Sequence, residues 1–267
     1  MAAEQQAKSG AEIIQHHLQN LTIGDPNSFW SLNLDTLFFS ILLGASFCGF
    51  LYFIAKKMQS GVPSFAQNVA EMLFDFVDNN IKEFMGESRK DIGSLAMAAF
   101  LWVLLWNTMD LIPVDLLPAI ANIFGIHHLK IVPSTDMNAT FAISITVVSL
   151  TYIYAFKNNH GFIGLLKSMG THPFEAPNLI GKVLLFPLNF LLRLVEDIAK
   201  LISLSLRLYG NLFAGELIFI LISLLPVLVQ FLPGGIWAIF HILVVCIQAY
   251  VVMVLSVVYL SLVQAHH

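Results

Sequence analysis

The chain has 267 residues, of which 57% are hydrophobic and 11% are charged, and its formal net charge is −4. A soluble domain carries roughly 25% charged residues, so this composition excludes an ordinary soluble enzyme. The acidic balance also argues against nucleic-acid binding. Long apolar runs favour helices over a barrel, and the composition therefore predicts an all-α integral membrane protein.

The first part of the chain predicts an arm, three spans and one surface helix. Residues 1–34 form a polar arm without the apolar core of a cleavable signal peptide. Apolar runs long enough to cross a ~30 Å hydrocarbon core follow at about 36–55, 92–112 and 139–156. At about 66–85, apolar residues recur at helical spacing among acids. This spacing predicts an amphipathic helix lying on the membrane surface.

The C-terminal part has a different pattern. From about 180 to 231 no long polar break occurs, and a single helix of this length would extend about 75 Å. The sequence LPGG at Leu232–Gly235 is a turn signal, and a second long helix is predicted at about 236–264. We therefore expect a long, strongly tilted helical hairpin, which gives about five membrane helices in one membrane domain over 35–267.

Basic residues set the predicted orientation. Lys and Arg are concentrated in the loops 56–95 and 157–182, whereas the alternate segments hold only Lys8 and Lys130. Cytoplasmic loops carry the excess of Lys and Arg. We therefore expect an external N-terminal arm and a cytoplasmic C-terminus.

Ionisable residues are rare within the hairpin. Between 201 and 265 the only acidic or basic residues, histidine aside, are Arg207 and Glu216. A charged residue at membrane depth is costly and is by default a candidate functional residue. Helical spacing places one polar stripe along the first hairpin helix, and Glu216 lies about half a turn off that stripe. The stripe consists of Glu196, Lys200, Ser203, Arg207 and Asn211.

The pattern of the hairpin is typical of a proton path. His241 and Gln248 are seven residues apart and share one face of the second helix. The turn places Glu216 and His241 in the external half, with Arg207 deeper. Glu and His exchange protons, whereas Arg keeps its proton. A fixed cation would therefore block direct leakage and force a partner's protonated carboxyl to ionise.

Other motifs predict neither a cofactor nor a metal site. The chain has no phosphate-binding loop, so we expect no ATP site of that kind. The His-His pairs lack ligands at metal spacing. Cys48 and Cys246 lie in apolar segments and are interpreted as buried thiols. Asp110 and Asp115, near the end of the second span, fit a bend as well as they fit a pathway role.

Several long motifs in a fixed order resemble one family. They include SLSLRLYGNLFAGELIFILI, WAIFHILVVCIQAYVVMVLSVVYLS and MDLIPVDLLP. On these motifs the chain resembles subunit a of the bacterial F-type ATP synthase, the membrane stator of the Fo motor, over nearly its whole length.

The resemblance implies residue roles and partners. It implies that Arg207 faces the carboxylate of the rotating c-ring, that Glu216 and His241 line a half-channel open to the periplasm, and that Gln248 lies close to the arginine. Weaker matches on the proton route are Asn211 and Asp110. Ser203, Glu196, Lys200 and Asp115 are further candidates because of their positions on the polar stripe or at the end of a span. The implied partners are the c-ring, the peripheral-stalk b subunits, the lipid bilayer of the bacterial inner membrane, and protons.

One departure and two alternatives remain. Many family members have proline where this chain has Leu201, which puts a bend there and an outlet role for Glu196 in doubt. A self-contained secondary transporter would favour an inverted repeat, and none is visible. A purely structural scaffold would use Arg207 and Glu216 only in salt bridges. The resemblance favours a non-catalytic proton-channel subunit.

Overall fold

The computed structural model describes residues 22–24, 32–59, 61–86, 90–112, 132–158, 161, 164, 174 and 179–264. Helices account for nearly all of these residues. A two-residue antiparallel ribbon, β1 (Thr22–Ile23) with β2 (Leu32–Asn33), precedes the first helix. Most of the predicted N-terminal arm, residues 1–21, lies outside the described part.

The first two helices differ in character. Helix α1 (Leu34–Lys56) is apolar along its length. Helix α2 (Phe65–Met85) is amphipathic. The Ser64 side chain accepts a hydrogen bond from the Gln67 N–H at the start of α2, and Gly86 ends the helix with φ 74, a backbone conformation that glycine adopts readily. These caps explain why α2 begins and ends close to the predicted bounds.

The next two helices are bounded by short 3₁₀ turns. Helix α3 (Lys90–Thr108) leads directly into the turn Met109–Leu111. The turn Pro133–Thr135 precedes helix α4 (Met137–Asn158). The Asp136 carboxylate accepts a hydrogen bond of 3.0 Å from the Asn138 N–H and thereby satisfies a backbone donor that the first turn leaves free.

Two long helices complete the fold. Helix α5 (Leu179–Ser223) has 45 residues and helix α6 (Val227–Gln264) has 38, which correspond to about 68 Å and 57 Å at 1.5 Å per residue. Five helices, all except α2, are long and apolar enough to cross a membrane. The predicted all-α membrane class with five spanning helices is confirmed among the described residues.

The predicted turn of the hairpin is in the wrong place. The chain breaks at residues 224–226, whereas Leu232–Gly235 lies inside α6. Proline disfavours helical conformation in the residue before it and is tolerated at a helix start, so Pro226 ends one helix and opens the next. Pro233 stays helical, because in a membrane the backbone must satisfy its hydrogen bonds internally. The predicted bounds 180–231 and 236–264 are corrected accordingly.

The core lies between pairs of helices. Helix α6 packs mainly on α3, and α5 packs mainly on α4. Leu204, Leu208 and Leu212 form the buried stripe of α5, and their four-residue spacing puts them on one face. Cys48 and Cys246 are exposed on α1 and α6, contrary to the interpretation as buried thiols, because each lies on the outward side of its helix.

Candidate functional site

The polar stripe of α5 faces outward. Ser203, Arg207 and Asn211 are exposed on a face of α5 that lies beside the buried leucine stripe. No acidic side chain among the described residues lies within ion-pair distance of Arg207. Arg207 therefore points to the surface of this chain from the central part of α5, with no other charged residue between Lys200 and Glu216.

A second group of polar residues is buried near the turn of the hairpin. The His241 Nε2 atom on α6 lies 2.6 Å from Asp110 Oδ2, and each side chain is 1% exposed. This is an ion-pair distance, although the two atoms do not form a hydrogen bond of regular geometry. The short turn after α3 therefore places Asp110 beside the imidazole.

The imidazole is held tightly between α5 and α6. A Cβ atom at Gly215 would lie 2.8 Å from His241 Nδ1, so only glycine leaves room for the ring. The Phe219 ring meets it edge-on at 5.3 Å and Trp237 lies at 6.2 Å. These contacts fix the ring orientation and exclude bulk solvent.

Glu216 completes this outer group. It follows Gly215 on α5 and its residue exposure is 3%. Glu216, His241 and Asp110 come from three different segments of the chain, yet all three are buried in the half of the molecule near the hairpin turn. We call these three residues the outer site.

A side-chain hydrogen bond connects the polar stripe of α5 with α6. The Asn211 Nδ2 atom donates a hydrogen bond of 2.6 Å to Gln248 Oε1. Gln248 is 3% exposed, so the amide pair extends from the surface near Arg207 into the space between the two helices. Sequence spacing placed Gln248 and His241 on one face, and both are buried.

A charged cluster lies on the other side of Arg207. Lys200 Nζ is 2.6 Å from Glu196 Oε1 and 3.3 Å from Asp197 Oδ1. Arg193 Nε is 3.4 Å from Asp197 Oδ2, and the Tyr152 hydroxyl of α4 donates to the same oxygen at 2.5 Å. We call these five residues the inner cluster.

Sequence reasoning missed Asp197 and Tyr152. It placed Glu196 on the functional stripe, yet the buried carboxylate is Asp197, whereas the Glu196 side chain is 49% exposed. The signal was present, since Asp197 lies seven residues before Leu204 and hence on the buried leucine stripe. No sequence pattern indicates that α4 packs against α5, so the contact of Tyr152 with Asp197 could not be predicted.

Further buried polar residues were also missed. Asn107 is fully buried three residues before Asp110. Thr140 and Ser205 join α4 to α5 with a hydroxyl contact of 3.2 Å. Asp115 lies outside the described residues. Within the part of the chain that the structure describes, no group of three His, Cys, Asp or Glu side chains could hold a metal ion.

The fold and these residues define a class, namely a multi-pass helical membrane protein with buried titratable side chains and with Arg207 facing outward. The sequence model of the family described as ATP synthase A chain matches residues 37–261. The chain belongs to this family.

Individual relatives cover nearly the whole chain. A protein of Dichelobacter nodosus described as ATP synthase subunit a is 66% identical over 97% of this chain and 97% of its own length. Proteins with the same description from Alkalilimnicola ehrlichii and Coxiella burnetii are 46% and 45% identical, over 96% and 97% of both chains respectively.

Proposed function

We propose that the chain is the proton-conducting stator subunit a of a bacterial F-type ATP synthase. The observation that carries this proposal is the exposed Arg207, which has no acidic partner among the described residues and lies between two sets of ionisable side chains. Family membership and five potential spans support it. Such a subunit has no ATP site of its own and acts through a ring partner.

The outer site is proposed as the inlet half-channel. Glu216, His241 and Asp110 can each bind and release a proton. The contact of His241 with Asp110, and the packing of Gly215, the neighbour of Glu216, against the His241 ring, support proton transfer among them. Glu216 is nine residues beyond Arg207, or about 14 Å along the helix. Protons from the periplasm would reach the ring carboxylate from this side.

Arg207 is proposed to face the carboxylate of the c-ring. An arginine keeps its charge in proteins, so it stabilises an ionised carboxylate and disfavours a protonated one. A carboxylate that arrives protonated therefore releases its proton before it passes. The same fixed charge prevents protons from crossing directly between the two half-channels.

The inner cluster is proposed to border the outlet. Lys200 is seven residues before Arg207, or about 11 Å towards the other side. In the orientation favoured by the basic loops, this side is cytoplasmic and the N-terminus is periplasmic. The peripheral-stalk b subunits would hold the chain in the inner membrane while the ring turns.

The two alternatives explain fewer observations. A structural scaffold needs an acid to pair with Arg207, and the described residues offer none within reach. A self-contained transporter needs a substrate site enclosed by its own helices, whereas Arg207 points outward. An outward cation is explained best by a partner that supplies the acid.

ATP-driven proton pumping in inverted membrane vesicles tests the function. We expect Arg207→Ala to abolish pumping in a complex that assembles normally and to open a passive proton leak, since the fixed charge is the barrier. Arg207→Lys keeps the charge but loses the planar guanidinium. This variant therefore distinguishes the effect of the positive charge from the effect of the guanidinium geometry. Coupled pumping retained in Arg207→Ala would contradict the proposed role.

A further inference from the structure

A large groove lies among three of the first four helices of the chain. It has a volume of about 650 Å³ and is bounded by α1, α3 and α4, with Ser256 of α6 at its base. None of the residues assigned to proton transfer lines it. Its surface is overwhelmingly apolar, with Leu37, Ile41, Trp102 and Leu150 among the larger side chains.

Small residues create the space. Ala98 and Ala99 on α3 face the groove, as do Ala139 and Ala142 on α4. Ala139 and Ala142 are three residues apart and lie on one face of α4, whereas Ala98 and Ala99 are neighbours in the sequence of α3. Helix α1 packs closely against Trp102 on one side of the groove. A Cβ atom at Gly44 would lie 2.5 Å from Trp102 Cζ3, so glycine is needed for this approach.

The length of the groove matches one leaflet of a bilayer. Its lining on α3 runs from Leu95 to Trp106, and on α4 from Ala139 to Leu150. Eleven residues of helix correspond to about 17 Å, whereas half of the hydrocarbon core is about 15 Å. An extended segment of this length and apolar character fits one acyl chain.

One end of the groove is polar. Asn33, Thr36, Asp136 and Asn138 line it where α1 and α4 begin. Asp136 accepts hydrogen bonds from the Asn33 side chain at 2.7 Å and the Asn138 N–H at 3.0 Å. The described lining residues include no Lys, Arg or His, so the charge at this end is negative.

We propose that this groove binds a phospholipid with a primary-ammonium headgroup. One acyl chain lies along the alanine faces, and the ammonium group lies beside the Asp136 carboxylate, which complements it and disfavours an anionic headgroup. The side on which the polar end lies follows the proposed orientation, so assignment to the outer leaflet rests on the proposed function. The presence of the groove does not depend on the proposed function.

Photolabelling of the assembled complex tests this site. The whole ATP synthase would be placed in bilayers containing a phospholipid with a diazirine in mid-chain, carried on either an ethanolamine or a glycerol headgroup. After illumination, mass spectrometry maps the labelled peptides. We expect label on the α3 and α4 faces of the groove, several-fold stronger with the ethanolamine lipid.

Variants separate a bound lipid from bulk lipid. Ala142→Leu and the milder Ala142→Val fill the groove and should lower labelling, whereas Ala45→Leu, on α1 outside the groove, should not. Asp136→Asn keeps the helix cap and should remove the headgroup preference while leaving acyl labelling. Pumping by the same samples reports on the proposed function independently.

Three results would overturn the proposal. Equal labelling of the wild type and the groove-filling variants would show that only bulk lipid touches this face. Cross-linking of the groove peptides to another subunit, with no lipid label, would show a protein interface. Equal labelling by both lipids would reject the headgroup assignment. Loss of labelling with normal pumping leaves the proposed function intact.

Discussion

The outer site and the inner cluster flank Arg207 and differ in how their charges are paired. In the outer site, the His241 and Asp110 side chains are each 1% exposed, and the only ion pair that the described residues give either of them is their contact with one another. In the inner cluster, Lys200 reaches both Glu196 and Asp197, and Arg193 also reaches both acids.

This difference in pairing determines how strongly the loss of one charged group affects the other groups around it. Removing one member of a buried pair leaves the other without compensation, which is strongly destabilising for a charge. A partly exposed network shares its charges, and exposed pairs contribute little. The outer site should therefore be sensitive to single substitutions and the inner cluster tolerant of most.

Gly215→Ala should have the largest effect of the substitutions considered below. The new methyl group would collide with the His241 ring and displace it from Asp110. Overpacking of this kind costs about 1–3 kcal/mol, and the displaced imidazole can no longer relay protons. We expect ATP-driven pumping in inverted vesicles to fall to background while the complex still assembles.

Gly235→Ala is the matched control, because a Cβ atom there meets nothing within 4 Å. It should pump like the wild type. If Gly215→Ala pumps normally as well, the fixed position of His241 is not required and the outer site loses its proposed role.

Asp110→Asn should have the next largest effect. The amide keeps the volume and can still contact His241, so folding should survive, but it cannot take up a proton. A positioned proton-transfer group typically contributes about 10²–10⁴-fold in rate, and we expect pumping to fall on the order of 10²-fold. Glutamate at this position should restore part of the rate, an outcome that a merely structural contact would not give.

The inner cluster predicts a graded response. Glu196→Gln should change pumping less than about twofold, since Lys200 keeps its contact with Asp197 and the exposed pair is weak. Asp197→Asn should be several-fold worse, because Tyr152, Arg193 and Lys200 all meet that carboxylate. Pumping rates of the two variants, normalised to the amount of assembled complex, measure the contrast. Equal effects would contradict the distinction between the exposed and the buried acid.

The sequence was sufficient for the class of fold, for physical reasons. Apolar length alone identifies a spanning helix, and helical spacing alone separates the outward stripe of Arg207 from the buried stripe of Leu204. Both depend only on local geometry. The long hairpin helices were expected from the absence of polar breaks, although their tilt stays a prediction.

Contacts between segments could not be obtained in this way. Asp110 meets His241 although more than a hundred residues separate them, and Tyr152 meets Asp197 across two helices. The turn was predicted at the wrong place because Pro-Gly-Gly is a stronger turn signal than a single proline in soluble proteins. In a membrane, every unpaired backbone group is penalised, and the segment with Pro-Gly-Gly stays helical. Tertiary packing and the surrounding medium, rather than local preference, decided these features.

The turn itself gives the smallest predicted effect. The Gln230 side chain donates to the carbonyl oxygens of Ser223 at 2.9 Å and Leu225 at 2.6 Å, which the end of α5 leaves without helical partners. Gln230→Ala removes both hydrogen bonds, each of which contributes about 0.5–1.5 kcal/mol. Because Gln230 is partly exposed, water can replace part of these hydrogen bonds. We therefore expect thermal unfolding of the complex to shift by a few degrees at most, with pumping unchanged. A large loss of pumping would mean that the turn positions the outer site, and that the two ends of the hairpin are coupled more tightly than the contacts of the turn indicate.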